Sequence, residues 1–539
     1  MPVLTIDNRK VEIEEGKTIL DAAEKIGIEI PTMCFLKSFK PSTSCMICVV
    51  KVEGKPSFMP SCATVVEEGM IVQTRSQDID FARKAALELL LSDHLGDCLG
   101  PCNVTCPANM NIPLMIRQIL QGKLEDAIAT VKKDIALPAV LGRICPAPCE
   151  KACRRDSYDK GVSICLLKRY VADMDLQIVK KNGGVEPHPT FSPKCKEKKN
   201  KSVAIIGAGP AGLACAYYLA QEGYDCTIFD EHEKPGGMLQ YGVPENELPR
   251  DVLDKEIAQI ERLGVKFKLK TRIGESITLE SLRKDFDAVF IAIGKLKEER
   301  ADSMGLQTKA DAIVIDSQTY QTNVPGVFAG GDAVRKRKVT VRAVADGKEA
   351  CAAISQYLSG EKVTGPVKEF NTRIGKLSAE EVEEYVIGHS KESRVEPARI
   401  ENGFNENEAI KEAARCLHCD CRKPVNCKLR KYSNQYNAKA NQYKGKNRPF
   451  VQFAEHAELI FEPGKCIDCG LCIEITAKAG EKTGLTFTGR GFNVRVEIPF
   501  ERSIIDAIKQ TNTAKECVKA CPTGALSFKI SDGDNKILH

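Results

Sequence analysis

The sequence predicts a multidomain chain of mixed class, α/β at its centre with α+β and helical units on either side. Three observations point there. At 539 residues the chain is long enough for three or four domains, each with its own core. Near the centre a short apolar strand runs into Gly207-x-Gly209-x-x-Gly212 and a helical stretch, the mark of a parallel α/β unit. The flanks carry cysteine in Cx2C and Cx3C spacings, and the chain holds 24 cysteines but no tryptophan.

Composition narrows the chemistry. A secreted disulfide scaffold would be short and loop-rich, so these spacings in a long chain point to metal, iron–sulfur clusters above all. A net charge of +5 with both signs mixed gives no case for nucleic-acid binding. There is no long uncharged apolar run and no charged-then-apolar start. No membrane span and no secretion signal are therefore expected, and the chain reads as cytoplasmic.

Residues 1–75 read as two short strands, a turn and a helix opening near Thr18, with Ile19, Leu20, Ala23 and Ile26 on one helical face. Cys34, Cys45, Cys48 and Cys62 follow, with ten, two and thirteen residues between them. Four thiolates on a loop-rich stretch beside a small sheet suit one [2Fe–2S] cluster, structural zinc being the alternative. This spacing and "SCATVVEEGMIVQTRS" resemble the first domain of the complex I large iron–sulfur subunit, of iron-only hydrogenases and of related formate dehydrogenases. The resemblance implies a β-grasp ferredoxin fold.

Residues 76–195 open on an amphipathic helix leading to His94 and Cys98. Cys98-x3-Cys102-x3-Cys106-Pro comes next, then Cys145, Cys149 and Cys153 in "GRICPAPCEKACRR". Six cysteines are two short of what a pair of four-ligand clusters needs. The two phrases resemble the helical module of the glutamate synthase small subunit and of dihydropyrimidine dehydrogenase, where two [4Fe–4S] clusters draw ligands crosswise. That resemblance implies Cys98, Cys102 and Cys153 at one cluster and Cys106, Cys145 and Cys149 at the other. Lys168 stands where the family has a Glu or Gln ligand and is a poor ligand when charged. His94, at the His-x3-Cys spacing of complex I, and Cys165 are expected to fill the two vacancies.

Residues 200–360 follow a basic linker, "SPKCKEKKNK". After the strand Val203 to Ile206, the turn with Gly207, Gly209, Pro210, Ala211 and Gly212 would bring backbone and helix N-terminus against a pyrophosphate. Asp230, ending the next strand, is placed for a ribose hydroxyl. "EKPGGMLQYGVPENELPRDVL", with Gly236, Gly237 and Met238, resembles the flavin-lining stretch of the glutamate synthase small subunit. "GVFAGGDAV", with Gly331 and Asp332, is similar to the second FAD motif of that superfamily, and the resemblance implies FAD. About thirty residues separate Gly294 from Val324, where full-length relatives carry a second Rossmann domain. A βαβ unit alone needs roughly thirty residues, so the nicotinamide domain is expected to be missing. Cys215, Cys226 and Cys351 have no partner spacing and are expected to be core residues.

Residues 361–455 form a charged connection ending in Cys416, Cys419, Cys421 and Cys427, four cysteines in twelve residues. That quartet is expected to hold a [4Fe–4S] cluster or zinc of its own. In residues 456–539, Cys466-x2-Cys469-x2-Cys472 and the distant Cys521-Pro give a ferredoxin-like [4Fe–4S] segment, with Cys517 left over. "TGRGFNVRVEIPF" again resembles the complex I and formate dehydrogenase families.

The expected protein is an FAD and iron–sulfur electron-transfer subunit of a larger cytosolic oxidoreductase complex. It would carry one [2Fe–2S], three [4Fe–4S] and the quartet's site, with electron bifurcation open. Its partners would be a complex I-like NADH-binding flavoprotein, ferredoxin, or a hydrogen-, formate- or aldehyde-oxidising subunit. A self-sufficient NAD(P)H:ferredoxin-type or glutamate synthase small-subunit-type reductase is the alternative, and a non-catalytic redox sensor the third reading.

Overall fold

The computed structural model describes residues 1–529 except 177–190, 276, 296–303, 444, 446–447, 455, 457, 482–483, 499–507 and 509–510. The N-terminal strands are β1 (Val3–Ile6), β2 (Arg9–Glu12), β3 (Val49–Val52), β4 (Met59–Pro60) and β5 (Ile71–Gln73). They form one mixed sheet of order β2-β1-β5-β3-β4, in which β1 and β5 run parallel. Helix Ile19–Lys25 packs on it, started by a capping box in which Thr18 and Asp21 satisfy each other's backbone N–H groups. Ile19, Ala22 and Ala23 are its buried face; Leu20 and Ile26 are only half buried.

Helix Gln77–Ser92 leaves this sheet, held by Arg83, which donates to the Val49 carbonyl at 2.9 Å and to the Tyr436 hydroxyl at 3.1 Å. Short helices then build an all-helical layer. Three of them begin on Pro101, Pro138 and Pro148, where a missing N–H costs nothing and the fixed φ already suits a helix. Helix Ile164–Asp175 closes the layer against Pro138–Ile144, with Arg143 on Asp173 at 2.8 Å in a buried ion pair.

The central sheet holds β6 (Ser202–Ile206), β7 (Asp225–Phe229), β8 (Lys266–Lys268) and β9 (Ala288–Ile291). After a hairpin of β10 (Thr308–Lys309) and β11 (Ala312–Ile313), β12 (Val327–Ala329) completes it. Its order is β12-β9-β6-β7-β8, and all its pairings are parallel. Helices Pro210–Gln221 and Thr340–Leu358 cross at close range: a Cβ on Gly347 would lie 2.2 Å from the Ala211 carbonyl oxygen. Between β9 and β12 the described residues form that two-stranded hairpin and its flanking turns, with most of the charged "KEERADSMG" stretch outside them. Glu256, on helix Arg250–Arg262, joins this sheet to the helical layer by accepting the Ala139 and Val140 N–H groups at 2.8 and 2.9 Å.

The last third does not stand apart. Helix Glu406–Ala413 lies on the helical layer, where Glu412 accepts the Ser163 N–H at 2.7 Å. Farther on, strand Leu459–Phe461 pairs antiparallel with Leu526–Phe528, and helices Leu471–Lys478 and Thr511–Ala520 pack beside that pair. The leftover Cys517 is fully buried there, its thiol directed at the Cys472 carbonyl. Cys215, Cys226 and Cys351 are core residues of the central layer.

Candidate functional site: five thiol nests and a glycine cradle

Loop geometry on the N-terminal sheet draws Cys34, Cys45, Cys48 and Cys62 together as two pairs. The Cys48 and Cys62 sulfurs are 3.4 Å apart, and Cys34 and Cys45 are in hydrogen-bonding contact. Within each pair one thiol is pushed up and the other down: Cys45 lowers Cys34 to about 6, and Cys62 lowers Cys48 to about 7. Two thiols for each of two irons is the ligand demand of a [2Fe–2S] cluster.

The helical layer gathers Cys106, Cys145, Cys149 and Cys165 around the ammonium of Lys168. Cys165 pulls Cys145 down to about 6, while burial pushes Cys106 up and Cys149 up to about 12. Burial works against the charge on Lys168, but the sulfurs of Cys165, Cys145, Cys149 and Cys106 outweigh it and raise the ammonium's pKa. Lys168 therefore sits among the four sulfurs as a cation, its Nζ 3.8 Å from Cys165, and Cys165 supplies the fourth thiol.

The expectation for Cys98, Cys102 and Cys153, and for an independent quartet at 416–427, does not match the coordinates. Cys102 has Cys153, Cys416 and Cys419 as its neighbours, Cys416 buried and the others half-buried. Cys98 instead lines a small cavity with His94, Cys421 and Cys427. The reason is backbone contact between distant loops. Arg155 donates to the Arg415 carbonyl at 2.7 Å, which seats Cys416 beside Cys153. The Cys421 N–H points to the Cys98 carbonyl at 3.4 Å. Between them Asp420 makes a buried two-point ion pair with Arg117, at 2.9 and 3.1 Å. The loop of the quartet is thus held to the Arg155 loop before Cys416 and to the Cys98 loop and Arg117 at 420–421.

Around the second of these nests the fit to a bulky group is visible in what is left unpaired. His94 Nδ1 is buried with no hydrogen-bond partner among the described residues. Burial and the nearby Lys465 hold its imidazole down to about 4, so the ring is neutral. Thr372, which no sequence signal marked, donates to the Gly96 carbonyl at 2.6 Å and lies 3.3 Å from the Cys98 sulfur. A Cβ on Gly524 would fall 2.3 Å from the Cys421 sulfur, so only glycine lets that strand end approach. Among the described residues no group of three or more His, Cys, Asp or Glu side chains is arranged to hold a single metal ion.

The last nest is Cys466, Cys469, Cys472 and Cys521; burial first, then Asp468 and Cys521 at Cys466, Cys521 at Cys469 and Cys466 at Cys472, push the Cys466, Cys469 and Cys472 thiols up. Neighbouring nests lie on elements that pack together. Helices Pro101–Thr105 and Pro148–Lys151, which carry Cys102 and Cys149, pack together, and the loop of Cys98 and Cys102 lies against Asp420, between Cys419 and Cys421. Cys34, Cys45, Cys427 and Cys469 share one apolar cluster.

On the central sheet, Gly207 has φ +109 and a Cβ there would lie 2.4 Å from the Ala292 carbonyl oxygen; one on Gly212 would lie 2.0 Å from the Gly207 oxygen. Gly209 faces open space, which leaves the start of helix Pro210–Gln221 accessible to a pyrophosphate. Gly236 and Gly237 close over this turn: Gly236 N–H donates to the Ala208 carbonyl, and a Gly237 Cβ would lie 2.9 Å from the Gly209 Cα. Met238, beginning the next short helix, is exposed. Asp230 is buried and engaged by the protein itself, accepting the Ala208 N–H at 2.6 Å and bonding His232 at 2.8 Å. Gly294 ends the turn after β9 at φ +73, and Asp332 accepts the Lys338 N–H at 3.3 Å. Asp346, invisible to motif reading, accepts the Gly331 N–H at 3.1 Å and the Tyr320 hydroxyl, which fixes the second motif against helix Thr340–Leu358. From that helix Lys348 reaches the Ala108 carbonyl at 3.4 Å, two residues beyond Cys106.

Family models match these units one after another. They are a 2Fe–2S iron–sulfur cluster binding domain over residues 3–77 and dihydropyrimidine dehydrogenase domain II, 4Fe–4S cluster, over 96–179. An NAD(P)-binding Rossmann-like domain follows over 205–257, and pyridine nucleotide–disulphide oxidoreductase over 244–347. The chain is built from the domains of iron–sulfur oxidoreductases. It is 43% identical over 210 residues to the NADPH-Fe(3+) oxidoreductase subunit beta of Geobacter sulfurreducens, covering 39% of this chain and 30% of that protein. It is 39% identical over 240 residues to the NADP(+)-dependent formate dehydrogenase subunit beta of Moorella thermoacetica, covering 42% and 32%. With the glutamate synthase [NADPH] small chain of Bacillus subtilis it shares 33% identity over 220 residues, covering 40% and 43%. The chain thus spans about a third to under half of the length of these relatives. Among the described residues no helix is long and apolar enough to cross a membrane.

Proposed function

We propose that this chain is the FAD- and iron–sulfur-bearing electron-transfer subunit of a larger cytoplasmic oxidoreductase complex. The observation that carries the reading is the contact order of the nests. From the glycine cradle, Lys348 leads to the 106/145/149/165 nest; the helices of Cys149 and Cys102 pack together; the Cys98–Cys102 loop lies against Asp420, between Cys419 and Cys421; and Cys427 shares one apolar cluster with Cys469, Cys34 and Cys45. A path of adjacent redox sites from a flavin to a [2Fe–2S] domain at the other end is a relay. Flavin takes two electrons together and each cluster one, so the cradle is where paired and single electrons exchange. The chain's own residues hold these groups, keep water from them by burial, and place buried cations beside them.

The hairpin between β9 and β12 takes the position of a second nucleotide domain, so the pyridine nucleotide or other substrate would be handled by a partner. A complex I-like NADH-binding flavoprotein, a ferredoxin, or a formate-, hydrogen- or aldehyde-oxidising subunit each suits that role. The test is an anaerobic titration of the isolated chain with NADH, then NADPH, following flavin and cluster absorbance. Dithionite alone should bleach the chain, and co-purified partners should restore reduction by substrate. Rapid stoichiometric bleaching by either nucleotide overturns the proposal in favour of a self-sufficient reductase.

A further inference from the structure

We propose that Cys416, Cys419, Cys421 and Cys427 hold no cluster of their own but are divided between two [4Fe–4S] sites at the seam with the helical layer. Cys416 and Cys419 complete an all-thiolate site with Cys102 and Cys153. Cys421 and Cys427 complete a site with Cys98 and the imidazole of His94. The assignment rests on reading these cysteines as iron–sulfur ligands, and not on which partner supplies the electrons.

Four contacts carry it, all through groups other than the ligands' own charge. The Arg155 bond to the Arg415 carbonyl places Cys416 against Cys153. The Arg117–Asp420 ion pair anchors the residue between Cys419 and Cys421 to helix Ile112–Leu120, so the quartet is turned two ways. A Cβ on Gly100 would lie 3.5 Å from the Cys102 sulfur and 3.8 Å from the Asp420 Cβ, so the 98–102 and 419–421 loops lie against each other. At the other side His94, Cys98, Cys421 and Cys427 line one small cavity, and the buried His94 Nδ1 has no hydrogen-bond partner among the described residues. A buried unpaired ring nitrogen is costly, and a metal bond removes that cost. Neutral imidazole is the ligating form. Four ligands at each site meet the requirement of a [4Fe–4S] cluster, and the dispersal of the quartet is incompatible with one ion bound by it.

The experiment uses the full chain purified without oxygen. Cys102→Ala, Cys416→Ala, Cys98→Ala and Cys421→Ala are compared with the parent by iron and sulfide content and by EPR of the dithionite-reduced protein. One [2Fe–2S] and four [4Fe–4S] clusters amount to about 18 irons, and each variant should lose about four. Cys102→Ala and Cys416→Ala should erase one and the same signal, and Cys98→Ala and Cys421→Ala a different one. Loss of a single common signal in Cys416→Ala and Cys421→Ala, with the signals of Cys98→Ala and Cys102→Ala differing from it, overturns the division. Where an alanine variant gives no folded chain, serine replaces it and the changed rather than missing signal is paired in the same way. Parent protein labelled with 15N-histidine should show nitrogen hyperfine coupling on one cluster, and His94→Cys should remove the coupling while keeping the iron; no coupling in the parent overturns the histidine ligand. A chain without iron would sink the relay reading as well, whereas full iron with another pairing sinks this assignment alone.

Discussion

The Cys34–Cys62 nest and the nest at Cys98, Cys421 and Cys427 meet the same chemical demand by opposite means. In the first, all four thiols lie on loops of one small sheet, and that sheet is built from residues 3–73. In the second, ligands more than 300 positions apart meet because other residues hold the loops, chiefly the buried pairs Arg117–Asp420 and Arg154–Asp97. A local nest depends on its own turn chemistry. A seam nest depends on ion pairs that are strongly destabilising to break, since one partner is then left charged and dry.

That contrast can be broken most severely at Asp420. Asp420→Ala strands the Arg117 guanidinium in the interior, at a cost of about 3–5 kcal/mol. Both seam signals should vanish from the EPR spectrum while the 34/45/48/62 signal persists; loss of the latter would show that the two regions are not independent. Next in size is a pH effect on the seam between the helical layer and the central sheet. Burial raises the carboxyl of Glu256 from 4.5 to about 7. The folded state therefore holds this proton more tightly than the unfolded chain, so stability is full below about 4.5 and falls as pH rises toward about 7. The change is about 3 kcal/mol at most. Calorimetry of Glu256→Gln should show a flatter stability profile across that window, and an unchanged slope would refute the assignment.

A smaller and more local effect belongs to Gly524. The methyl of Gly524→Ala must displace the Cys421 sulfur, an overpacking cost of about 1–3 kcal/mol, and iron content should fall by one cluster with the 466/469/472/521 signal retained. The finest adjustment is electronic. Lys168→Met removes a buried positive charge from the 106/145/149/165 nest, so that cluster's midpoint potential should fall, on the order of 100 mV. A potentiometric titration that shows no shift would mean that Lys168 is neutral there.

Much of the outline was legible in the chain because it is written locally. The strand, glycine turn and following helix at 203–221 lie within one βα unit, and the Cys34–Cys62 and Cys466–Cys472 spacings each fall within one or two loops. The helix expected after Thr18 is there, capped by it. Cys165 stands one helical turn from Lys168 and joins the 106/145/149 group, a placement that spacing alone left open. What stayed illegible is non-local. No spacing rule couples Cys102 to Cys416, because the coupling is made by Arg155 and Arg117 bonding to other loops. Thr372 and Asp346 belong to no motif; they matter through contacts far off in sequence, Thr372 with Gly96 and Asp346 with Gly331 and Tyr320. Asp230 shows the converse: its position fits a ribose contact, yet its carboxylate is already engaged by Ala208 and His232.

The divided quartet also sets an order on how the molecule is made. A ribosome that has released residues 1–360 has delivered the whole central sheet, but only half the ligands of each seam site. The Cys106 nest can take iron at that stage, and the seam sites can do so only after residue 427 has emerged. Loading of those two clusters is therefore a late event of biosynthesis, and it closes the chain's beginning onto its end around a sheet already folded. A chain truncated before residue 416 would leave the machinery with open thiols at Cys98, Cys102 and Cys153, so the cell obtains a check on completeness from the same residues that carry its electrons.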